Sequence, residues 1–152
     1  MRVGLRIALG ADHAGVVLKD NLARLLDERG IPYTDFGTHG SESVDYPDFA
    51  ADVAHAVAAG DYDRGVLVCG SGIGMAIAAN KVPGIRAAVV TEAESARLSR
   101  SHNDANVLAL GARLIGPDMA KACVSAFLGT EFAGGRHQRR VDQLSKLLQD
   151  SD

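Results

Sequence analysis

GVLVCGSGIGMAIAANK, residues Gly65–Lys81, is the stretch that decides the fold. Gly65–Val68 is short, apolar and β-branched, the composition of a strand buried in a parallel sheet. Cys69 closes the run, and Gly70, Gly72 and Gly74 follow at alternate positions, separated by Ser71 and Ile73. From Met75 to Lys81 the chain reads as helix, with Met75, Ala76, Ile77, Ala78 and Ala79 in one apolar series. A strand, a glycine-rich turn and a helix bring free backbone amides together around an anion. A thiol stands at the lip of that amide cup, where a thiolate gains from the helix dipole and the nearby donors. The plainer alternative is a cysteine serving as a small core hydrophobe. The spacing GxGxG matches neither the dinucleotide fingerprint nor a phosphate loop ending in GK[ST]. The stretch therefore points to an anion site and leaves the chemistry to the rest of the chain.

Outward from it, strands and helices alternate. Leu5–Gly10 reads as a first strand, Ala11–Gly15 as its turn, and Val16–Arg29 as a helix whose stripe holds Val17, Leu18, Leu22, Leu25 and Leu26. Ile31–Phe36 is a second strand, Gly37–Pro47 a polar loop, and Pro47 opens a helix to Ala59 with Phe49, Val53 and Val57 on one face. Arg86–Val90 and Val107–Leu110 are further strands, with a helix over Glu92–Ser101 and the loop His102–Asn106 between them. Helices over Pro117–Leu128 and Arg136–Gln149 end the chain, the last with Val141, Leu144, Leu147 and Leu148 inward. This order predicts an α/β fold: one domain over 1–152, with a doubly wound parallel five-stranded sheet and helices on both faces, a Rossmann-like three-layer sandwich. Ligands of such sheets lie beyond the carboxyl ends of the strands. Asp12 and His13 follow the first strand, Cys69 and the glycines the third, Thr91 and Glu92 the fourth, and Gly111 and Arg113 the fifth.

Composition narrows the partners. With 152 residues, 47% hydrophobic, the chain has ample material for one core, and a net charge of −3 recommends neither nucleic acid nor an anionic membrane. Cys69 and Cys123 make no CxxC and no metal spacing with a histidine, and they suit a reducing compartment. The amino-terminal residues lack the pattern of a signal peptide, and no apolar run approaches about 18 residues. A cytoplasmic protein using neither metal nor cofactor is expected.

Three further groups carry possible chemistry. Asp12-His13 is either a helix cap or a carboxylate and imidazole for sugar hydroxyls and a phosphate. Arg136-His137-Gln138-Arg139-Arg140 puts three arginines in the first turns of a helix, against its dipole. Either this is a solvated basic patch, or Arg136 and Arg140, four apart, clamp an anion with His137 between them. His102-Asn103-Asp104 is either structural or a proton donor beside a hydroxyl ligand. Tyr46 and Thr38 are weaker candidates, because turn chemistry accounts for Asp45 and Pro47. A thiol base, an amide cup, a histidine acid, a carboxylate and a phosphate clamp together suit proton transfer at a carbon next to a carbonyl.

At these residues the chain resembles the ribose-5-phosphate isomerase type B family, which also holds galactose-6-phosphate and allose-6-phosphate isomerases. The resemblance lies in GADHAG (10–15), GTHGSESVDYPDFA (37–50), VLVCGSGIGMAIAANK (66–81), GIRAA (84–88), SARLSRSHNDANVLALGAR (95–113) and GGRHQRRV (134–141). It implies a homodimer, often paired into tetramers, with active sites built from both subunits, and the carboxyl-terminal helix 136–149 against a partner. It implies Cys69 as base, His102 as ring-opening acid, and Asp12 and His13 at the sugar hydroxyls and phosphate. Gly70, Ser71, Gly72, Ile73 and Gly74 match the amides around an enediolate, and Asn103, Arg113, Arg136 and Arg140 match further substrate contacts, with Tyr46 and His137 as additional substrate-binding candidates. One branch of the family instead places a Glu where this chain has Met75; the thiol branch fits here, and Ser71 keeps the hydroxyl of the Thr found in some members.

The expectation is a ribose 5-phosphate isomerase. A hexose 6-phosphate isomerase and a non-catalytic sugar-phosphate sensor are the alternatives, the sensor having no need of Cys69 or His102. A dinucleotide binder is disfavoured, since the first strand leads into GADHAG instead of GxGxxG.

Overall fold

The computed structural model describes residues 4–149. The chain forms β1 (Ile7–Ala11), α1 (Val16–Glu28), β2 (Tyr33–Asp35), α2 (Tyr46–Ala58), β3 (Arg64–Cys69), α3 (Ile73–Ala79), β4 (Ala87–Val89), α4 (Ala93–Ser101), β5 (Val107–Gly111), α5 (Pro117–Gly129) and α6 (Arg136–Gln149). A single 3-10 turn, His13–Gly15, joins β1 to α1. All five strands are parallel, in the order β2-β1-β3-β5-β4. The central strands β1 and β5 are buried at every residue, and β3 from Gly65 onward. Burial on both faces is why their sequences run apolar without alternation.

Right-handed crossovers decide which face each helix covers. From β1 to β2 the chain steps toward one edge; from β2 to β3 and from β3 to β4 it steps toward the other, and from β4 to β5 it steps back. α1 and α4 therefore share one face, and α2 and α3 the opposite one. The two cores follow this division. Leu22 and Leu26 of α1 and Ala96 of α4 pack with Cys123, Val124 and Phe127 of α5, while Val53 and Ala54 of α2 pack with Met75, Ala76 and Ala79 of α3. The direction of winding reverses between β1 and β3, so a crevice opens there at their carboxyl ends.

Several expected details shift. β1 runs from Ile7 to Ala11 instead of Leu5 to Gly10, and α3 begins at Ile73, two residues before Met75, because Gly72 caps it with a left-handed backbone. Val17 is 75% exposed, since the buried stripe of α1 begins one residue later, at Leu18. Among the described side chains of α6 only Val141 is buried; Leu144 and Leu147 are 46% and 70% exposed, and Leu148 lies outside the described side chains. Lys19, which the apolar pattern passes over, is wholly buried in α1 with its ammonium 2.5 Å from Asp35 at the end of β2.

Gly15 sets how closely the first turn approaches β3. The Val68 carbonyl lies where a Cβ would stand, and Val68 Cγ1 would be 2.9 Å from it. Gly15→Ala is expected to destabilise the protein by about 1–3 kcal/mol, through overpacking against backbone that cannot give way. Urea denaturation checks this as a lower midpoint at unchanged slope.

Candidate active site

The crevice is built from the two strand ends that the register brings level. Ala11 pairs with Val68, and the Asp12 N–H donates to the Val68 carbonyl at 3.1 Å, so Asp12 and Cys69 emerge side by side. Asp12 Oδ1 accepts the N–H groups of Ala14 and Gly15 at 3.0 and 3.2 Å. The carboxylate is thus the cap of the 3-10 turn and also a wall of the crevice, so both readings of Asp12 hold at once. His13 Nδ1 accepts the Val44 N–H at 3.1 Å, which leaves Nε2 as the protonated nitrogen of the neutral ring. This bond fastens the 37–45 loop beside the crevice, whose lining His13 itself does not join.

After Cys69 the chain turns sharply into α3. Gly72 has φ +80°, and a Cβ there would stand 2.9 Å from the Leu110 carbonyl carbon, so the turn needs glycine for conformation and for space. Its N–H points back at Cys69 Sγ, 3.1 Å away, and Ser71 Oγ accepts the Ile73 N–H at 3.2 Å. A donor aimed at sulfur is a stronger partner for thiolate than for thiol. The Arg113 N–H donates to the Gly70 carbonyl at 3.0 Å and the guanidinium lies over Gly70, while the Tyr46 ring packs on Gly74. Asp12, Tyr46, Cys69, Gly70, Ser71, Ile73, Gly74 and Arg113 line one cleft of about 600 Å³. Ile77 and Leu114, exposed by 58% and 59%, complete its rim. Sequence reading missed both as site residues; for Ile77 the signal was its place one helical turn beyond Ile73. Among the described residues, no group of three or more His, Cys, Asp or Glu side chains is placed to hold a metal ion.

The remaining candidates lie elsewhere. α4 leaves the carboxyl edge after β4 and ends at the amino edge before β5, so His102 and Asn103 emerge at the opposite edge from Cys69. The four steps of β5 from Val107 to Gly111, paired with Gly65 to Cys69, separate the edges by roughly 13 Å of strand. His102 stacks on His137, with ring centroids 4.3 Å apart. Asn103 lines a second groove of about 460 Å³ with Leu144 and Leu147 of α6. Arg136 and Arg140 are exposed at the start of α6. One chain therefore carries Asp12, His13, Cys69, Arg113 and the glycine-rich turn at one edge, and His102, Asn103, Arg136, His137 and Arg140 at the other. These groups do not meet within one chain. Thr91 and Glu92 also stay out of the cleft: Glu92 caps α4, accepting the Ser95 N–H at 3.0 Å.

A carboxylate, a thiol and a glycine-rich amide turn at the switch point of a doubly wound sheet define an α/β protein with a small-molecule site. Comparison with known proteins makes this specific. The model of the ribose/galactose isomerase family matches residues 7–144. Ribose-5-phosphate isomerase B of Escherichia coli (strain K12) is 51% identical over 144 residues, 95% of this chain and 97% of that protein. The solved structure of Clostridium thermocellum ribose-5-phosphate isomerase B, 53% identical, covers 97% of this chain and 100% of its own, with a TM-score of 0.96. A D-erythrulose-4-phosphate isomerase of Pectobacterium atrosepticum is 45% identical over 92% of this chain and 93% of that protein. The chain belongs to the ribose/galactose isomerase family.

Both thiols are buried, but only one of them borders the cleft. Cys123 is wholly buried, and desolvation, with a smaller contribution from the Glu92 charge, pushes it up to about 11. The folded chain then holds that proton more tightly than the unfolded one, so Cys123 erodes stability as pH rises from 9.0 toward 11. Cys69, only 5% exposed, lines the cleft. Iodoacetamide at neutral pH is expected to alkylate Cys69 and spare Cys123, read by mass spectrometry of the two cysteine peptides.

Proposed function

We propose that this protein is an aldose–ketose isomerase that interconverts ribose 5-phosphate and ribulose 5-phosphate. The observation that carries the reading is Cys69 at the lip of the cleft, with the Gly72 N–H on its sulfur and Asp12 beside it. The family, and relatives named ribose-5-phosphate isomerase B over nearly the whole chain, support it.

Chemistry follows from the groups in the cleft together with those a second subunit brings to it. His102 gives a proton to the ring oxygen of the furanose while Asp12 assists loss of the anomeric hydroxyl proton, and the ring opens to the aldehyde. The Cys69 thiolate takes the proton from C2, and the amides between Gly70 and Gly74 hold the enediolate oxygen as charge develops. The thiol returns that proton to C1, the proton on O2 passes to O1, and the ketose forms. His13, Arg113, Arg136 and Arg140 bear on the phosphate end, and Asn103 and Tyr46 on the sugar.

Because His102 and Cys69 lie at opposite edges of one sheet, this chemistry needs two copies. A homodimer in which the α4–α6 corner of each subunit closes the cleft of the other supplies every group and covers Leu144 and Leu147. Pairing of such dimers into tetramers and residence in the cytoplasm belong to the same reading. A tetrose or hexose phosphate is the rival substrate, the tetrose favoured by the D-erythrulose-4-phosphate isomerase relative.

Turnover is to be measured on ribose 5-phosphate, erythrulose 4-phosphate, allose 6-phosphate and galactose 6-phosphate, with conversion of the pentose expected to be fastest. Cys69→Ala and His102→Ala should each lose at least about a hundredfold in kcat. Subunits of the two variants, dissociated, mixed in equal parts and reassociated, should recover about a quarter of normal activity, from one intact site in half of the dimers. A mixture as inactive as its components overturns the shared site. A Cys69→Ala protein with near-normal turnover overturns the base.

A further inference from the structure

The rings of His102 and His137 meet where the first turn of α6 lies against the end of α4, their centroids 4.3 Å apart and their planes 15° from parallel. The corner is fastened. Buried Arg100 donates to the Thr130 carbonyl at 3.2 Å and to Asp104 Oδ1 at 2.8 Å, and the Ala133 N–H donates to the Ser101 carbonyl at 3.0 Å. Two imidazolium rings at this separation repel, whereas one imidazolium over a neutral aromatic ring is a favourable contact.

The helices break the symmetry between the rings. His102 is the carboxyl cap of α4, with its N–H on the Leu98 carbonyl at 2.9 Å, at the helix end that favours a cation. His137 sits in the first turn of α6, at the end that disfavours one. The charged groups around the pair act in the same sense. Arg136 and Arg140 of α6 oppose a charge on His137, which desolvation, the largest cause, and His102 also hold below the ordinary histidine range. Glu94 of α4 interacts with the charge of His102.

We propose that His137 is a positioning residue for the acid of the reaction: it stays neutral and fixes the plane of the His102 ring by stacking. It acts through His102 and not on the substrate, and the inference rests on the reading of His102 as the ring-opening acid.

Ring opening and carbon deprotonation can be read separately. Ribulose 5-phosphate carries its phosphate on O5 and cannot close a furanose, so exchange of its C1 hydrogen with heavy water needs the base but no ring-opening acid. His137→Ala should lower kcat on ribose 5-phosphate roughly tenfold or more, while exchange into ribulose 5-phosphate falls less than about threefold. His137→Phe, a flat uncharged ring, should restore most of the turnover. Unchanged turnover in His137→Ala, an equal loss of turnover and exchange, or a Phe variant no better than Ala each overturns the proposal. In the unmutated protein, ring-proton NMR should find His137 titrating below the ordinary histidine range and moving upward in His102→Ala; ordinary titration of His137 also overturns it. If His102→Ala itself keeps full turnover on ribose 5-phosphate, the acid assignment falls, and this proposal with it.

Discussion

The register of β1 against β3 is the constraint on which the site depends. Ile7 faces Arg64 and Ala11 faces Val68, so the strands end level and the next residues, Asp12 and Cys69, enter the same crevice. A slip of one residue would carry one of them about 3.3 Å along the sheet and turn its side chain to the other face. Two local features hold the register where it matters. The Asp12 N–H bonds the Val68 carbonyl, and Gly15 packs against that carbonyl at a distance no side chain allows. The site is therefore as ordered as the centre of the sheet, because it is the last rung of that sheet.

Groups around the crevice serve the backbone and the cleft together. Asp12 satisfies two N–H groups of the following turn while its carboxylate walls the cleft. Gly72 lets the chain pass over Leu110 and sends its amide to the sulfur. Arg113 anchors the β5 loop through its backbone and lays its guanidinium over Gly70. Preorganisation follows from this economy, since dipoles already fixed by folding need not reorganise as charge develops on a substrate.

The second constraint is topological. A helix connecting parallel strands must run back from the carboxyl edge to the amino edge, so the residue that ends α4 cannot share an edge with one that ends β3. His102 and Asn103 are held at the far edge by that rule, Arg100 braces the loops beside them through the Thr130 and Ala105 carbonyls, and the start of α6 joins them through the His102–His137 stack. On the reading of a shared site, symmetry between two copies does what the fold of one chain forbids.

Much of this was legible in the amino-acid sequence. Unbroken apolar runs ending in Asp12, Cys69 and Gly111 announced central parallel strands, since strands covered on both faces have no polar side to alternate with. The glycine pattern after Cys69 announced an amide cup, since only glycine takes such turns freely. Motifs such as SRSHNDANVLALGAR pointed to the family that the comparisons identify. Other features were decided only in three dimensions. Lys19 reads as a surface charge until the fold brings Asp35 to its ammonium, and Leu144 and Leu147 read as core until α6 is seen to leave them exposed. Periodicity reports which face of a helix is apolar and not what covers it. Above all, the sequence determined which groups the chemistry has at its disposal, while the tertiary structure decided that one chain divides them between two edges, because edge assignment depends on crossover geometry and strand order and on no local pattern of residues.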